Sequence, residues 1–320
     1  RRGSSDLYRE HLCDLSQGPP DGGDHPEAPR EGRHGGGGDP HLWTPDDPFL
    51  YSATIRTAGS AEPGTRGSAA ASASCDSAEV YFALRTIDIK MIDGVSRVCL
   101  NGRPVFLHGV LDQGYFSPGL MLPRDPEEYA RDILRMKELG FNMLRKHIKV
   151  EPEIFYYYCD KYGMLVMQDM VNSGEYSFFT DSALGTLGVR MPDAAGEYDY
   201  RQRFFVEHCQ KTVELLYSHP CVIAYTIFNE GWGQFDSDSL YDKFKEWDQS
   251  RLIDSTSGWF AQNKSDFDSR HIYFRTPKLK KGGKSGRPLL ISECGGYSLA
   301  VLRSGRMCML CFAVSPNTTY

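Results

Sequence analysis

Short apolar runs alternate with amphipathic helical stretches along residues 97–298 of the chain. Most of the runs are rich in β-branched and aromatic residues, which is typical of strands that are buried on both faces. The pattern predicts seven strands, at 105–110, 142–146, 164–168, 221–228, 253–256, 272–274 and 289–292.

The stretches between these strands carry apolar residues at helical spacing and have recognisable ends. Asp125-Pro126-Glu127-Glu128 places a proline and acidic residues in a first helical turn, and Gly140 follows the last apolar position. A second helix ends before Gly163. The pattern predicts helices at 125–139, 152–162, 200–218 and 238–250.

This alternation predicts parallel strands that are joined by right-handed crossovers. A nucleotide-binding doubly wound sheet would carry a glycine-rich turn after its first strand, and none follows residues 105–110. The pattern therefore favours an α/β chain of the (β/α)8 TIM-barrel class.

The residues before the barrel differ in composition. Residues 1–42 are rich in Gly, Pro, Asp and Arg with few apolar residues, which predicts disorder. Residues 43–96 contain two segments that alternate like strands, separated by a low-complexity loop of Ala, Ser and Gly at 58–77. These segments resemble the last strands of a β-sandwich and are too few to bury a core alone.

Composition excludes several classes of protein. The 320 residues carry a formal net charge of −6, and no basic stripe with interleaved aromatic residues is present, which argues against nucleic-acid binding. No apolar stretch approaches the length of a membrane span. The nine cysteines are scattered, and the pair Cys308 and Cys311 has no second pair beside it, so we predict neither a metal nor another cofactor. The chain starts at Arg1 without a signal pattern, and the sequence assigns no compartment or oligomeric state.

Two glutamates follow apolar strands of the same design. Glu230 comes after the run Ala224–Phe228, Glu293 comes after Leu289–Ser292, and glycines follow both glutamates. Barrel enzymes place catalytic groups at the C-terminal ends of strands. One glutamate in such a position is more often a solvated loop residue. Two in matching positions indicate an acid and a nucleophile that face a shared cleft, as in glycoside hydrolysis.

Six motifs, in a fixed order, carry a resemblance to a known family. They are Trp43–Tyr51, Leu100–Gly109, Gly140–His147, Tyr162–Asp169, Phe228–Gly231 and Ile291–Gly296. Together they resemble glycoside hydrolase family 2, the β-galactosidase, β-glucuronidase and β-mannosidase family, over residues 43–57 and 77–298. The first motif resembles the closing strand of an immunoglobulin-like domain, and the others resemble parts of a catalytic barrel. The resemblance implies a retaining β-glycosidase that acts on a carbohydrate substrate by double displacement.

By that resemblance Glu230 is the general acid/base and Glu293 is the nucleophile. Asn229 is expected to hold the sugar 2-hydroxyl. Arg145 is expected to pair with Glu293 and keep it ionised, and Tyr273 is expected to hydrogen-bond the same carboxylate. The remaining candidates for substrate contact are Asp112, His147, Asp169, Trp232 and His271.

The chain also departs from the family pattern. By comparison with that pattern we expect no preceding sugar-binding domain, only a remnant of the immunoglobulin-like domain at residues 43–96, and an atypical tail at residues 299–320. We therefore expect an incomplete barrel over 97–298 that lacks its last strand and helix, with unpaired edges on its first and seventh strands. A catalytically inactive, truncated fragment that at most binds carbohydrate is the alternative interpretation, whereas the two intact carboxylates favour an enzyme.

Overall fold

The computed structural model describes residues 39–57, 76–117, 119–172, 179, 184, 193, 196–273, 286–301 and 306–314. For residues 296–301 and 306–314 it describes the backbone. Most of the segment predicted to be disordered (1–42) and of the predicted loop (58–77) therefore lies outside the described residues. The chain divides into two compact units: one comprises Arg1–Trp43 and Phe49–Leu84, and the other comprises Thr44–Pro48 and Arg85–Tyr320.

The first unit contains one antiparallel pair of strands, β1 (Tyr51–Thr57) and β2 (Asp76–Phe82). Tyr51 lies opposite Phe82, and the two rings stack with centroids 5.1 Å apart. A cross-strand aromatic pair of this kind stabilises the register of a two-stranded sheet.

The second unit opens with a small antiparallel sheet of three strands, β3 (Ile87–Ile92), β4 (Val95–Leu100) and β5 (Arg103–Pro104). Asn101 and Gly102 connect the last two strands with φ values of 51° and 75°. Two consecutive residues with positive φ are what a tight hairpin turn requires, which explains why the Asn-Gly pair marks this position in the sequence.

A single eight-stranded sheet forms the rest of the second unit, with helices between most of its parallel strands. Its elements are β6 (His108–Asp112), α1 (Glu127–Glu138), β7 (Met143–Lys146), α2 (Glu153–Tyr162), β8 (Leu165–Asp169), α3 (Tyr200–Leu216), β9 (Val222–Asn229), α4 (Ser237–Trp247), β10 (Leu252–Ser257), β11 (Asp268–Tyr273), β12 (Leu289–Val301) and β13 (Arg306–Val314). All seven predicted strands and all four predicted helices are present.

The strands follow the order β10-β9-β8-β7-β6-β13-β12-β11, and the neighbouring pairs from β6 to β10, together with β11 and β12, are parallel. The two end strands face each other through Ser257 of β10 and Ser269 of β11, whose hydroxyl oxygens lie 3.4 Å apart. Every residue of β8, β9 and β10 is buried, as expected for strands that are covered on both faces. The sheet therefore curls into a barrel.

The expected gap between the first and seventh barrel strands is filled, and in this respect the sequence-based expectation is wrong. Strand β13 pairs antiparallel with β12 on one side and with β6 on the other. Only residues 302–305 separate β12 from β13, and so short a connection permits a hairpin but not the helical crossover that a parallel strand requires. The tail 299–320 therefore supplies an eighth strand of reversed direction.

None of the helices in the described residues is long and apolar enough to cross a membrane. The helices end as their sequences predict. Gly163 ends α2 in the left-handed conformation (φ 72°), and its N–H donates to the carbonyl of Cys159. Gly140 follows α1 with φ 87°. Both positions favour glycine because it has no Cβ to strain a left-handed backbone.

The two glycines provide a matched pair for a stability experiment. A Cβ at Gly163 would lie 2.3 Å from the carbonyl oxygen of Pro45, whereas a Cβ at Gly140 meets no atom within 4 Å. We expect Gly140→Ala to lower the free energy of unfolding by about 1 kcal/mol through backbone strain alone. Gly163→Ala should cost a further ~1–3 kcal/mol because the methyl group also clashes with the backbone. Urea unfolding of both variants measures this difference, and equal losses would contradict the steric argument.

Candidate active site

Polar side chains converge at one mouth of the barrel, where the parallel strands have their carboxyl ends. They are Arg145 on β7, Asp169 on β8, Asn229 on β9, His271 and Tyr273 on β11 and Glu293 on β12. Barrel enzymes carry their functional groups at this face. Strand β12 continues past Glu293 to Val301, so this glutamate does not close its strand as the sequence pattern indicated.

Arg145 is the centre of the site, and its side chain has no exposed surface. The Nε and Nη2 atoms of the guanidinium each donate a hydrogen bond of 3.0 Å to a carboxylate oxygen of Asp169. Nη1 donates to Glu293 Oε1 at 3.0 Å and to the carbonyl of Ser292 at 3.2 Å. Nη2 also donates to Asn229 Oδ1 at 2.9 Å. All five N–H groups of the guanidinium are thereby satisfied. Burial alone would lower the pKa of Arg145, but the charges of Asp169 and Glu293 raise it.

Glu293 is buried and surrounded by donors. Arg145 binds Oε1, as the sequence predicted, and the hydroxyl of Tyr273 donates to Oε2, as was also predicted. His271 and His147 place their Nε2 atoms 3.6 Å and 3.7 Å from Oε1. Burial alone would raise the pKa of Glu293. The neighbouring His271 and Arg145, together with the hydrogen bond from Tyr273, more than offset this effect, so the pKa lies below its ordinary value.

Glu230 differs from Glu293 in its exposure and its backbone. Its side chain is 27% exposed, and its Oε1 atom lies 2.7 Å from His271 Nδ1. Its φ of 54° lies in the left-handed region, where a residue with a Cβ is strained, and its N–H donates to the carbonyl of Ser257. Strain of this kind clusters at functional sites. One oxygen of Glu230, one oxygen of Glu293 and one nitrogen of His271 lie within 4.8 Å of one another.

The other candidates for substrate contact divide into two groups. His147 and Asp169 belong to the cluster around Arg145, and the Nε2 atom of His147 is buried with no hydrogen-bond partner in the described part of the chain. Burial lowers the pKa of the His147 imidazole, although the charge of Asp169 opposes this. Asp112 instead binds Lys146 Nζ at 2.9 Å and the N–H of Gly114 at 2.8 Å.

Trp232 lies in the turn that follows Glu230. It is half-buried, its N–H donates to the carbonyl of Asn229, and its carbonyl accepts from the side chain of Asn172. The sequence analysis missed a second tryptophan, Trp259, whose ring lies 5.9 Å from that of His271, edge to face. Trp259 follows the carboxyl end of β10, and that position is the signal that could have identified it.

A polar layer under the mouth was also missed. The hydroxyl of Ser257 donates to Ser292 Oγ at 2.8 Å, and Ser292 lies 2.7 Å from Ser269 Oγ. Asp254 is fully buried on β10, and its Oδ2 atom has no hydrogen-bond partner in the described residues. Burial raises the pKa of Asp254 to about 6, although a hydrogen bond from Ser269 and the charge of Arg145 act in the opposite direction. The run Asp254–Ser257, polar within a buried barrel strand, was the available signal.

The spacing of Glu230, His271 and Glu293 would suit three ligands of a metal ion. Arg145 argues against that use of the site. Its Nη1 atom lies 3.0 Å from Glu293 Oε1 and 3.4 Å from His271 Nε2, so a permanent positive charge already faces two of the three ligands.

Comparisons with known proteins identify the family to which the barrel is similar. The model of the TIM barrel domain of the glycosyl hydrolases of family 2 matches residues 90–292. The chain is 24% identical over 216 residues to a β-galactosidase of Priestia megaterium and 29% identical over 221 residues to a β-galactosidase of Vibrio cholerae. These alignments cover 67% and 68% of this chain but 19% of each relative, so the chain spans about a fifth of the length of these curated relatives.

Solved structures support the fold. A β-D-glucuronidase of Dictyoglomus thermophilum matches with a TM-score of 0.61 and 15% identity, over 84% of this chain and 47% of that one. A β-glucuronidase of Parabacteroides merdae with glycerol in its active site matches with a TM-score of 0.52 and 18% identity, over 74% of this chain and 27% of that one. The fold is a TIM barrel, as the sequence predicted.

Because the pKa of Asp254 is raised, we expect the free energy of unfolding to depend on pH. An unfolded aspartate has a pKa of about 3.9, so between about pH 4 and pH 6 the folded chain binds more protons at this group than the unfolded chain. The contribution of Asp254 to the free energy of unfolding should therefore fall by about 3 kcal/mol as the pH rises through this window and stay low above it. We expect Asp254→Asn to abolish this loss.

Urea unfolding at pH 4.5 and pH 7 measures the effect. The difference in unfolding free energy between Asp254→Asn and the native chain should increase with pH. Asp242→Asn is the control because Asp242 is exposed and pairs with Lys264 at the surface. A difference for Asp254→Asn that stays constant with pH would show that this carboxyl is not protonated in the fold.

Proposed function

The chain belongs to the glycosyl hydrolases of family 2, and on that premise we propose that it hydrolyses β-glycosides with retention of anomeric configuration. The observation that carries the proposal is the short separation of Glu230 and Glu293, which bring carboxylate oxygens within 4.8 Å of each other. Retaining enzymes hold their carboxyl groups about 5–5.5 Å apart, whereas inverting enzymes need about 6.5–9.5 Å to admit a water molecule.

Glu293 takes the role of nucleophile in this proposal. A nucleophilic carboxylate must be ionised and held in place, and Arg145 and Tyr273 bind its two oxygens. The lowered pKa of Glu293 supports the same role. In the first step a Glu293 oxygen attacks the anomeric carbon, the bond to the leaving group breaks, and a covalent glycosyl-enzyme forms.

Glu230 takes the role of general acid and then of general base. Its partial exposure at the mouth leaves a path to the glycosidic oxygen and to water, and the imidazole of His271 contacts its carboxyl group. Glu230 gives its proton to the leaving group in the first step. It then takes a proton from the water that releases the sugar from Glu293.

Neighbouring groups are placed to bind the sugar. Arg145 binds Asn229 through Oδ1, which leaves the Nδ2 group as the donor for a sugar hydroxyl. His147 has a buried Nε2 atom without a partner 3.7 Å from Glu293 Oε1, so it can meet a hydroxyl near the anomeric carbon. We propose both residues as substrate contacts, with Asp169 orienting Arg145 and Trp232 and Trp259 flanking the mouth. Asp112, which is bonded to Lys146, supports the barrel mouth from outside this cluster.

The finer domain assignments are proposals as well. We propose that β1 and β2 are part of an immunoglobulin-like β-sandwich, because they pair antiparallel and follow the Trp43–Tyr51 motif.

A carbohydrate-binding chain without turnover is the second candidate function. The observation that favours it is β13, which enters an otherwise parallel barrel in the antiparallel direction next to the strand of Glu293.

The stereochemistry of hydrolysis tests the proposal. We expect the first sugar released from an aryl β-glycoside to be the β anomer, because two successive displacements at the anomeric carbon restore its configuration. NMR of the product in the first minutes, before mutarotation, distinguishes the two anomers. An α anomer would refute the double displacement, and carbohydrate binding without turnover by the native chain would establish the second candidate.

Substitution of the two glutamates tests their separate roles. We expect Glu230→Gln to lower kcat/KM by about 10²–10⁴-fold for a poor leaving group and by much less for dinitrophenolate, which leaves without a proton. Glu293→Gln should remove activity on both substrates. Glu214→Gln, on the exposed face of α3, is the control. Equal losses for Glu230→Gln on both substrates would contradict its assignment as the acid.

A further inference from the structure

The imidazole of His271 lies between the two glutamates. Nδ1 is 2.7 Å from Glu230 Oε1, Nε2 is 3.6 Å from Glu293 Oε1, and the side chain has no exposed surface. The chain makes room for the ring at Gly258, where a Cβ would lie 2.6 Å from two of its atoms. A buried ring in this position cannot reach solvent and must meet its hydrogen-bonding needs within the site.

The hydrogen bonds at Nε2 identify the tautomer. Two groups in the described part of the chain lie within hydrogen-bonding distance of this atom, Ser257 Oγ at 3.1 Å and Arg145 Nη1 at 3.4 Å. Both hydrogens of Arg145 Nη1 are already donated at shorter distances, to Glu293 and to the carbonyl of Ser292. Ser257 gives its own hydrogen to Ser292, so its oxygen is an acceptor. Nε2 therefore carries the proton and donates it to Ser257.

In a neutral imidazole with a proton on Nε2, the Nδ1 atom is an acceptor. The 2.7 Å contact between Nδ1 and Glu230 Oε1 then requires a hydrogen from Glu230. We propose that His271 is a positioning residue that holds Glu230 as the protonated acid, by accepting the carboxylic hydrogen at Nδ1. The inference rests on the proposed function, in which Glu230 starts each cycle as an acid.

Arg145, whose Nη1 atom lies 3.4 Å from His271 Nε2, opposes a positive charge on the ring. The other ionisable groups that face the His271 ring come from every neighbouring strand or from the turn that follows it. They are Arg145 on β7, His147 after β7, Glu230 after β9, Asp254 on β10, Tyr273 on β11 and Glu293 on β12. Asp169 on β8 is bound to Arg145. Arg145 alone supplies the cation that Glu293 needs, since it donates directly to that carboxylate. During the cycle the proton of Glu230 passes to the leaving group and is replaced by one from water.

Two substitutions at this position separate the contacts of the ring. An asparagine amide overlays Nδ1 and can accept from Glu230, whereas a glutamine amide overlays Nε2 and cannot. A hydrogen bond to the neutral form of an acid raises its pKa. We therefore expect the alkaline limb of the pH profile of kcat/KM to move to lower pH by about one unit in His271→Gln. In His271→Asn the limb should stay near its native position.

The direction of this shift decides between the two tautomers. If Nδ1 instead donated to an ionised Glu230, His271→Gln would move the alkaline limb to higher pH, and that result would overturn the proposal. A loss of kcat at all pH values without movement of the limb would indicate a purely structural role and would overturn it too. His108→Gln is the control, because His108 begins β6 at the opposite end of the barrel and contacts Gly140 and Phe141.

A measurement on the native chain needs neither a stable variant nor turnover. In protein labelled with ¹⁵N-histidine, we expect the His271 ring to show a protonated Nε2 and an unprotonated Nδ1 near neutral pH. Assignment of the signal comes from its loss in His271→Asn. A proton on Nδ1, in either tautomeric or doubly protonated form, would overturn the proposal. If the native chain hydrolyses no aryl β-glycoside, the proposed function fails, and this spectrum still decides the tautomer.

Discussion

The site depends on the buried guanidinium of Arg145. Its five N–H groups bind acceptors on β8, β9 and β12, so one side chain from β7 fixes the relative positions of three other strands at the mouth of the barrel. A lysine could not do this, because its ammonium is a point charge with three donors and no planar fork. Removing one partner from a buried pair leaves an uncompensated charge, which makes such a network cooperative.

This arrangement also sets the electrostatics of the mouth. Asp169 and Glu293 together bring two negative charges to one guanidinium, so the cluster carries an excess of negative charge before any substrate enters. Asp254 lies below them and would add a third. Its burial raises its pKa to about 6, so it keeps a proton in mildly acidic solution, where the proton relieves the repulsion. The proposed division of roles between the glutamates follows from the same logic, since Glu293 contacts the guanidinium of Arg145 and Glu230 contacts the imidazole of His271.

The sequence predicted the barrel because its parallel strands are buried on both faces and appear as continuous apolar runs. It pointed to Glu230 and Glu293 because charged residues at the ends of such runs are conspicuous, whereas Arg145 was expected from the family resemblance alone. Strand β13 escaped prediction because its place depends on a hairpin with β12, which no local pattern in the tail reveals. Asp254 and Trp259 escaped for another reason: their importance lies in which strands become neighbours, and neither sits beside an acid in the sequence. The relation of His271 to both glutamates is likewise a property of the closed barrel.

Strand β13 has a consequence for the synthesis of the protein. It lies between β12 and β6, the first strand of the barrel, so the open edge of β6 has no partner on that side until β13 has left the ribosome. Translation at about 5–20 residues per second takes roughly 10–40 s to cover the intervening chain. During that time an unpaired strand edge and one flank of the future barrel core are exposed to other nascent chains. Shielding of this strand edge would protect the incomplete barrel from aggregation during synthesis, and the residues of the candidate site come together only after translation has passed them.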